Sequence, residues 1–140
     1  MGLIEMPLGD AREPETVSDG RYDLRIEAQE EKENPNTGKK SIQVIIKIEN
    51  PPAGVEPMEI MHFIALPRPD DTPQGRKFKL LQTARFLHLF DIPYNEGGFD
   101  PDDLPGSTAS GVTVTQGDVE GYGPRNSIDL SAHPLPKEAD

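Results

Sequence analysis

Between Arg21 and Ala28 apolar and other residues alternate strictly: Tyr22, Leu24, Ile26 and Ala28 take one face, and Arg21, Asp23, Arg25 and Glu27 the other. A period of two marks a half-buried strand, because successive side chains leave a pleated backbone on opposite sides. The signature recurs from Ser41 to Glu49, where Ile42, Val44, Ile46 and Ile48 face one way and Gln43, Ile45 and Lys47 the other. It recurs again from Met58 to Leu66, with Met58, Ile60, His62 and Ile64 on one face and Met61 and Phe63 on the other. Turn signals separate the runs: Asp19-Gly20, then Asn34–Gly38 within a polar loop over 30–40, then Asn50–Gly54.

The period then changes. Asp71-Thr72-Pro73 is a helix start, with a capping side chain and proline in the first turn. From Arg76 to Phe90, Phe78, Leu81, Ala84 or Arg85, Phe86, Leu87 and Phe90 fall near a 3.6-residue repeat and form the expected apolar stripe. Asp91-Ile92-Pro93 ends the helix. A long loop over 94–111 comes next, with one helical turn expected at 100–104. Val112–Thr115 and Asn126–Leu130 are the last two strands, joined by a glycine-rich connection over 117–124. The resulting expectation is a mainly β fold: a five-stranded OB-like barrel with one helix between strands three and four. Residues 1–19 read as an extended acidic arm that docks Leu3, Ile4 and Met6 on the body, 20–130 as the domain, and 131–140 as a flexible acidic tail.

Charge is divided in the same way. The net charge is −11. Residues 1–19 contribute −4, residues 20–90 +1 and residues 91–140 −8, so a near-neutral middle lies between acidic ends. Cysteine is absent, which excludes disulfides, thiolate zinc sites and cysteine nucleophiles. No apolar run approaches 18 residues and the N-terminus lacks a basic leader, so the expected location is cytoplasmic, away from membranes.

Gly20-Arg21-Tyr22, Thr37-Gly38-Lys39-Lys40 before a strand, the helix end Phe86-Leu87-His88-Leu89-Phe90-Asp91-Ile92-Pro93, and Asp103-Leu104-Pro105-Gly106 before a strand resemble phage-encoded single-stranded-DNA-binding proteins over residues 19 to 130. The resemblance implies an OB-like fold, binding of single-stranded DNA in phage replication or recombination within the host cytoplasm, and protein partners for the acidic ends. Many such proteins close an acidic tail with an aromatic residue. Lys137-Glu138-Ala139-Asp140 has none, which sets the partner-recruiting role apart from the resemblance.

The residues offer little catalytic chemistry. His62, His88 and His133 have no metal-ligand spacing, and His62 belongs to an apolar strand face. Asp100, Asp102 and Asp103 lack the central glycine and late glutamate of a calcium loop; Asp100 reads as a cap, as does Asp70-Asp71 before the helix. Thr37–Lys40 lacks the upstream glycine of a phosphate loop and reads as a hairpin turn. Neither catalytic residues, metal nor cofactor are expected.

Binding single strands needs cations along a groove and exposed aromatics on which bases stack. Placed on an OB barrel, Arg21 and Arg25 lie outward on strand one, Lys39 and Lys40 lead into strand two, and Lys47 lies outward on it. Met61 and Phe63 point outward on strand three, and Tyr122 stands in the last glycine-rich loop before Arg125. A second basic set comprises Arg68, Arg76, Lys77, Lys79 and Arg85. These give the expected nucleic-acid contacts: Arg21, Arg25, Lys39, Lys40, Lys47, Met61, Phe63, Arg68, Tyr122 and Arg125. The rival expectation is a β-barrel adaptor or virion component, a homo-oligomer that uses Met61 and Phe63 as an interface and explains −11 more easily. A hydrolase built on the Asp-rich loop is the third.

Overall fold

Gly20–Glu33 (β1) is the centre of the architecture in the computed structural model, which describes residues 2–11, 13–119 and 123–136. Its later half pairs antiparallel with Lys40–Ile48 (β2), and its first half with Thr108–Val119 (β6). Ile60–Ala65 (β3) continues the sheet beyond β2, and Gly123–Ile128 (β7) continues it beyond β6. The sheet order is β3-β2-β1-β6-β7, all antiparallel. Pro73–Leu89 (α1) connects β3 to the second half of the chain. A small hairpin of Tyr94–Asn95 (β4) and Gly98–Phe99 (β5), and a single helical turn at Pro101–Asp103, lie between α1 and β6. Among the described residues no helix is long and apolar enough to cross a membrane.

A strand that serves two neighbours in turn must bend, and two irregularities bend this one. Opposite Tyr22 and Leu24 the β6 register slips by one residue. Gly111 takes φ +63 there and donates its N–H to Asp23 Oδ1 at 3.1 Å. Opposite Ile45, β1 carries an extra residue between Ile26 and Ala28. Such bulges sharpen twist and reverse the facing of the residues beyond them. Ala28 is therefore exposed, although alternation from Tyr22 puts it on the buried face.

The inward residues form one core. Leu24 and Ile26 meet Ile42, Val44, Ile46 and Ile48 of β2, Ile60 and Ile64 of β3, and Val112 and Val114 of β6. Phe86, Leu87 and Phe90 cover it from α1, joined by Ile92, Leu104 and Leu130. Thr72 caps α1 by accepting the Gly75 N–H on Oγ1 at 3.0 Å, with Pro73 in the first turn, as the sequence indicates. The apolar stripe is shorter than its spacing implies. Phe78 and Leu81 are exposed, because only the C-terminal part of α1 lies over the sheet.

The edge strands β3 and β7 are not paired with each other, so strand pairing leaves the sheet open. A segment of the N-terminal arm occupies that margin. Glu15 donates its N–H to Glu56 O and accepts from Met58 N–H, at 2.9 and 2.8 Å. Two residues on, Val17 is buried and exchanges both backbone hydrogen bonds with the Asn126 side chain of β7, each 2.8 Å. The arm thus docks through Glu15 and Val17, and not through Leu3, Ile4 and Met6, which stay exposed. At the other end, Leu130 is buried and His133 Nε2 accepts the Thr113 N–H at 2.9 Å. The expected acidic tail continues into 137–140, outside the described residues.

Candidate nucleic-acid interface

The outward face of β1, β2 and β3 is built in cross-strand rows. Ala28, Ile45 and Met61 form one row; Glu30, Gln43 and Phe63 the next; Lys32, Ser41 and Ala65 the third. Met61 and Phe63 are 58% and 55% exposed, so two large apolar side chains stand on a surface facing solvent. Gln43 Nε2 donates to Met61 Sδ at 3.4 Å, tying the first two rows together. Neighbours in such rows interact directly, and they hold Met61 and Phe63 as a platform rather than as isolated side chains.

The third row opens into a groove of about 650 Å³ between the β1–β2 hairpin and the start of α1. Its charged lining is Lys32, Lys39, Lys40, Arg68 and Lys79 against Glu33. Gly38 takes φ +71 at the hairpin tip, where its N–H reaches Asn34 O at 2.7 Å, and the turn leads through Lys39 into Lys40 at the start of β2. Arg68 Nη2 donates to Thr37 O at 2.9 Å and fastens that tip to the approach to α1. Acids temper part of the lining. Lys32 lies 3.2 Å from Glu30, Arg68 3.3 Å from Asp70, and Lys79 2.8 Å from Asp71. Lys39 and Lys40 are exposed and have no ion pair among the described residues.

Asp71 is the hub of this corner. Lys79 Nζ donates to both its oxygens, at 2.8 and 3.0 Å, and the Arg68 N–H donates to Oδ2 at 2.8 Å. The Lys79 hydrogen bonds, followed by the Arg68 amide, hold its carboxyl below the usual carboxylate range. Asp71 therefore fixes the loop against α1, while the helix cap itself is Thr72. The other expected cap holds: Asp100 accepts the Asp102 N–H at 2.9 Å.

The opposite end of the face is acidic. A groove of about 840 Å³ there is lined by Glu27, Glu49, Glu56 and Glu59, with Lys47 as its one cation. Arg25, beside Lys47 in register, lies 3.9 Å from Glu49. The sequence-derived contacts consequently separate. Lys39, Lys40 and Arg68 come together, with Phe63 and Met61 on the adjoining rows. Arg25 and Lys47 stand at the acidic end. Arg21 lies exposed opposite Thr113, and Arg125 rests with Nη1 3.3 Å from Met58 Sδ on the β7 side. Tyr122 lies outside the described residues. Lys79, of the second basic set, joins the groove, and so does Lys32, which the sequence did not single out. Lys32 was readable only if β1 were extended past Ala28.

Among the described residues no cluster of three or more His, Asp or Glu side chains has metal-binding geometry. His62 lies under the sheet, with burial pushing it down to about 4. No protein-family model and no curated protein matches this chain.

Proposed function

We propose that this chain binds single-stranded DNA with little sequence preference, on an OB-like barrel and without catalysis. One observation carries the reading: an outward platform of Met61 and Phe63 runs directly into a groove whose lining includes Lys39, Lys40 and Arg68. Stacking on an exposed aromatic contributes about 1–3 kcal/mol per base, and lysines track the backbone without reading sequence. The barrel reading is supported by the strand order β3-β2-β1-β6-β7 with the helix after β3. It is supported too by the approach of β7 to the entry of β3 through Arg125 and Met58. The resemblance to phage single-stranded-DNA-binding proteins assigns the work to protection of unwound DNA in replication or recombination in the host cytoplasm. The net charge of −11 does not oppose this, because a ligand meets the local potential of the groove.

The test is a titration of a fluorescent 30-mer single strand at two salt concentrations, with duplex as control. Binding of the single strand alone, weakening with salt at a log–log slope of about −0.7 per phosphate contacted, is the expected result. Phe63→Ala weakens it about 10-fold, and Lys39→Ala with Lys40→Ala lowers the salt slope. Absence of binding at low salt overturns the reading and leaves the adaptor, whose support is the exposed apolar arm.

A further inference from the structure

The first part of helix α1 exposes apolar side chains. Phe78 is 62% exposed, and Leu80 and Leu81 are exposed with it. Phe78 and Leu81, three residues apart, share a helix face. The residues that bury the helix, Phe86, Leu87 and Phe90, all belong to its other end. Phe78 and Leu81 together offer an apolar contact to another protein segment. Pro73–Leu89 holds four cations, Arg76, Lys77, Lys79 and Arg85, and no carboxylate. Lys79 is committed to Asp71, while Lys77 is exposed on the face of Leu81, four residues on.

The chain carries a segment of the complementary character. Leu3 and Ile4 are 92% and 81% exposed, and Met6 and Leu8 are exposed as well. Glu5 and Asp10 lie among them, and no base occurs from Gly2 to Ala11. The arm is rooted at Glu15 and Val17. Within one chain the side chains of Leu3, Ile4, Met6 and Leu8, like those of Phe78 and Leu81, stay exposed.

We propose that the arm of one copy, residues 3–10, docks on the outward face of α1 of a second copy, through Ile4 and its apolar neighbours on Phe78 and Leu81 and through Glu5 and Asp10 on Lys77. A nucleic-acid strand would engage Lys77 and leave Phe78 and Leu81 bare; an acidic apolar peptide covers both. Donor and acceptor are different surfaces, so the contact is either exchanged reciprocally between two copies or passed on head to tail. It stands without any nucleic acid and independently of the proposed function.

The experiment is light scattering on the purified full chain over a range of concentrations, without DNA. The unaltered protein is expected to exceed the 15.4 kDa of one chain and to grow with concentration. One variant carries Ile4→Ser and Met6→Ser, the other Phe78→Ser and Leu81→Ser. All four positions are exposed, and an unchanged circular dichroism spectrum checks the fold. Each variant alone runs as a single chain. Mixed in equal amounts they form a complex of two chains and none larger, because one intact arm then meets one intact helix. An unaltered protein that stays at single-chain mass overturns the proposal, as do variants that keep the unaltered mass, or a mixture that forms no complex.

Discussion

His62 lies flat on Phe86, with ring centroids 4.4 Å apart and ring planes 6° from parallel. His62 is on the inward side of β3 and Phe86 is fully buried on α1, so this pair is where the helix is seated on the sheet. Phe86 in turn meets Phe90 at 4.9 Å, which extends the aromatic contact along the last turn. A protonated imidazole in that place would lose its hydration, and burial accordingly pushes His62 down to about 4.

That burial sets the sign of the pH dependence. An unfolded histidine titrates near 6.5, so between 6.5 and about 4 the unfolded chain holds a proton that the folded chain does not. His62 therefore costs no stability above pH 6.5, and stability is lost progressively as pH falls toward 4, by about 3 kcal/mol in full. His62→Phe keeps a ring on Phe86 and removes this part of the acid sensitivity. Urea unfolding at pH 7, 5.5 and 4.5 measures it: the variant should lose distinctly less stability across that range. An imidazole that titrates above pH 6 by NMR contradicts the argument.

Asn126 is the buried polar residue of the described core, and its amide is fully used. Its Oδ1 accepts from Val17 N–H, and its Nδ2 donates to Val17 O and to Thr115 O at 2.8 and 3.3 Å. Asn126→Ala strands both backbone groups of Val17 away from water, which costs about 1–3 kcal/mol. Asn126→Asp keeps the acceptor but loses both donations, and it too is expected to destabilise. Amide hydrogen exchange separates local from global loss: Val17 should lose protection in Asn126→Ala by a larger factor than Ile46 in the middle of β2.

The elements legible in the sequence are those set by neighbours along the chain. The alternation from Arg21 to Ile26, the Thr72 cap, the Asp100 cap and the Gly38 turn each depend on a few adjacent residues. What escaped depends on distant partners. Ala28 is exposed because β1 exchanges one neighbour for another and bulges at that point, which no local period contains. Helical spacing groups Phe78 with Phe86, yet the part of α1 that overlies the sheet is decided by where β3 and β6 place the core. The same holds for the candidate interface. Met61 and Phe63 could be placed outward from alternation alone, whereas the gathering of Lys32, Lys40 and Lys79 needs the hairpin, the loop and the helix together.

Lys79 and Asp71 supply a prediction of the same sign as that for His62, since both groups titrate lower in the fold than in the unfolded chain. Asp71 is held below the ordinary carboxylate range chiefly by the Lys79 hydrogen bonds. A depressed carboxyl stabilises the fold above the unfolded value near 3.8, and that contribution disappears as pH falls through the folded value. Lys79→Met keeps the aliphatic stem and removes the ammonium. The Asp71 carboxyl should then titrate closer to 3.8, which carbon-detected NMR reads directly. The same variant, with the groove cation gone, should weaken single-strand binding less than Lys39→Ala, because Lys79 is already occupied by Asp71.

Asp91 ends α1 in the left-handed region, at φ +55. Its N–H reaches His88 O at 3.1 Å, and the next residue, Ile92, donates to Leu87 O at 2.8 Å, which is the hydrogen-bond pattern of a Schellman stop. Ile92 and Leu87 are both buried, so the stop also turns the chain back into the core. Aspartate is an unfavourable occupant on two counts. Its Cβ is crowded at positive φ, and its charge sits at the negative end of the helix. Asp91→Gly relieves both and should raise stability by about 1 kcal/mol. Asp91→Ala removes only the charge while keeping the Cβ, so it should gain less or lose. Thermal melts of the two variants at pH 7 give the comparison. A glycine variant no more stable than the alanine one would show that the backbone at Asp91 bears no strain.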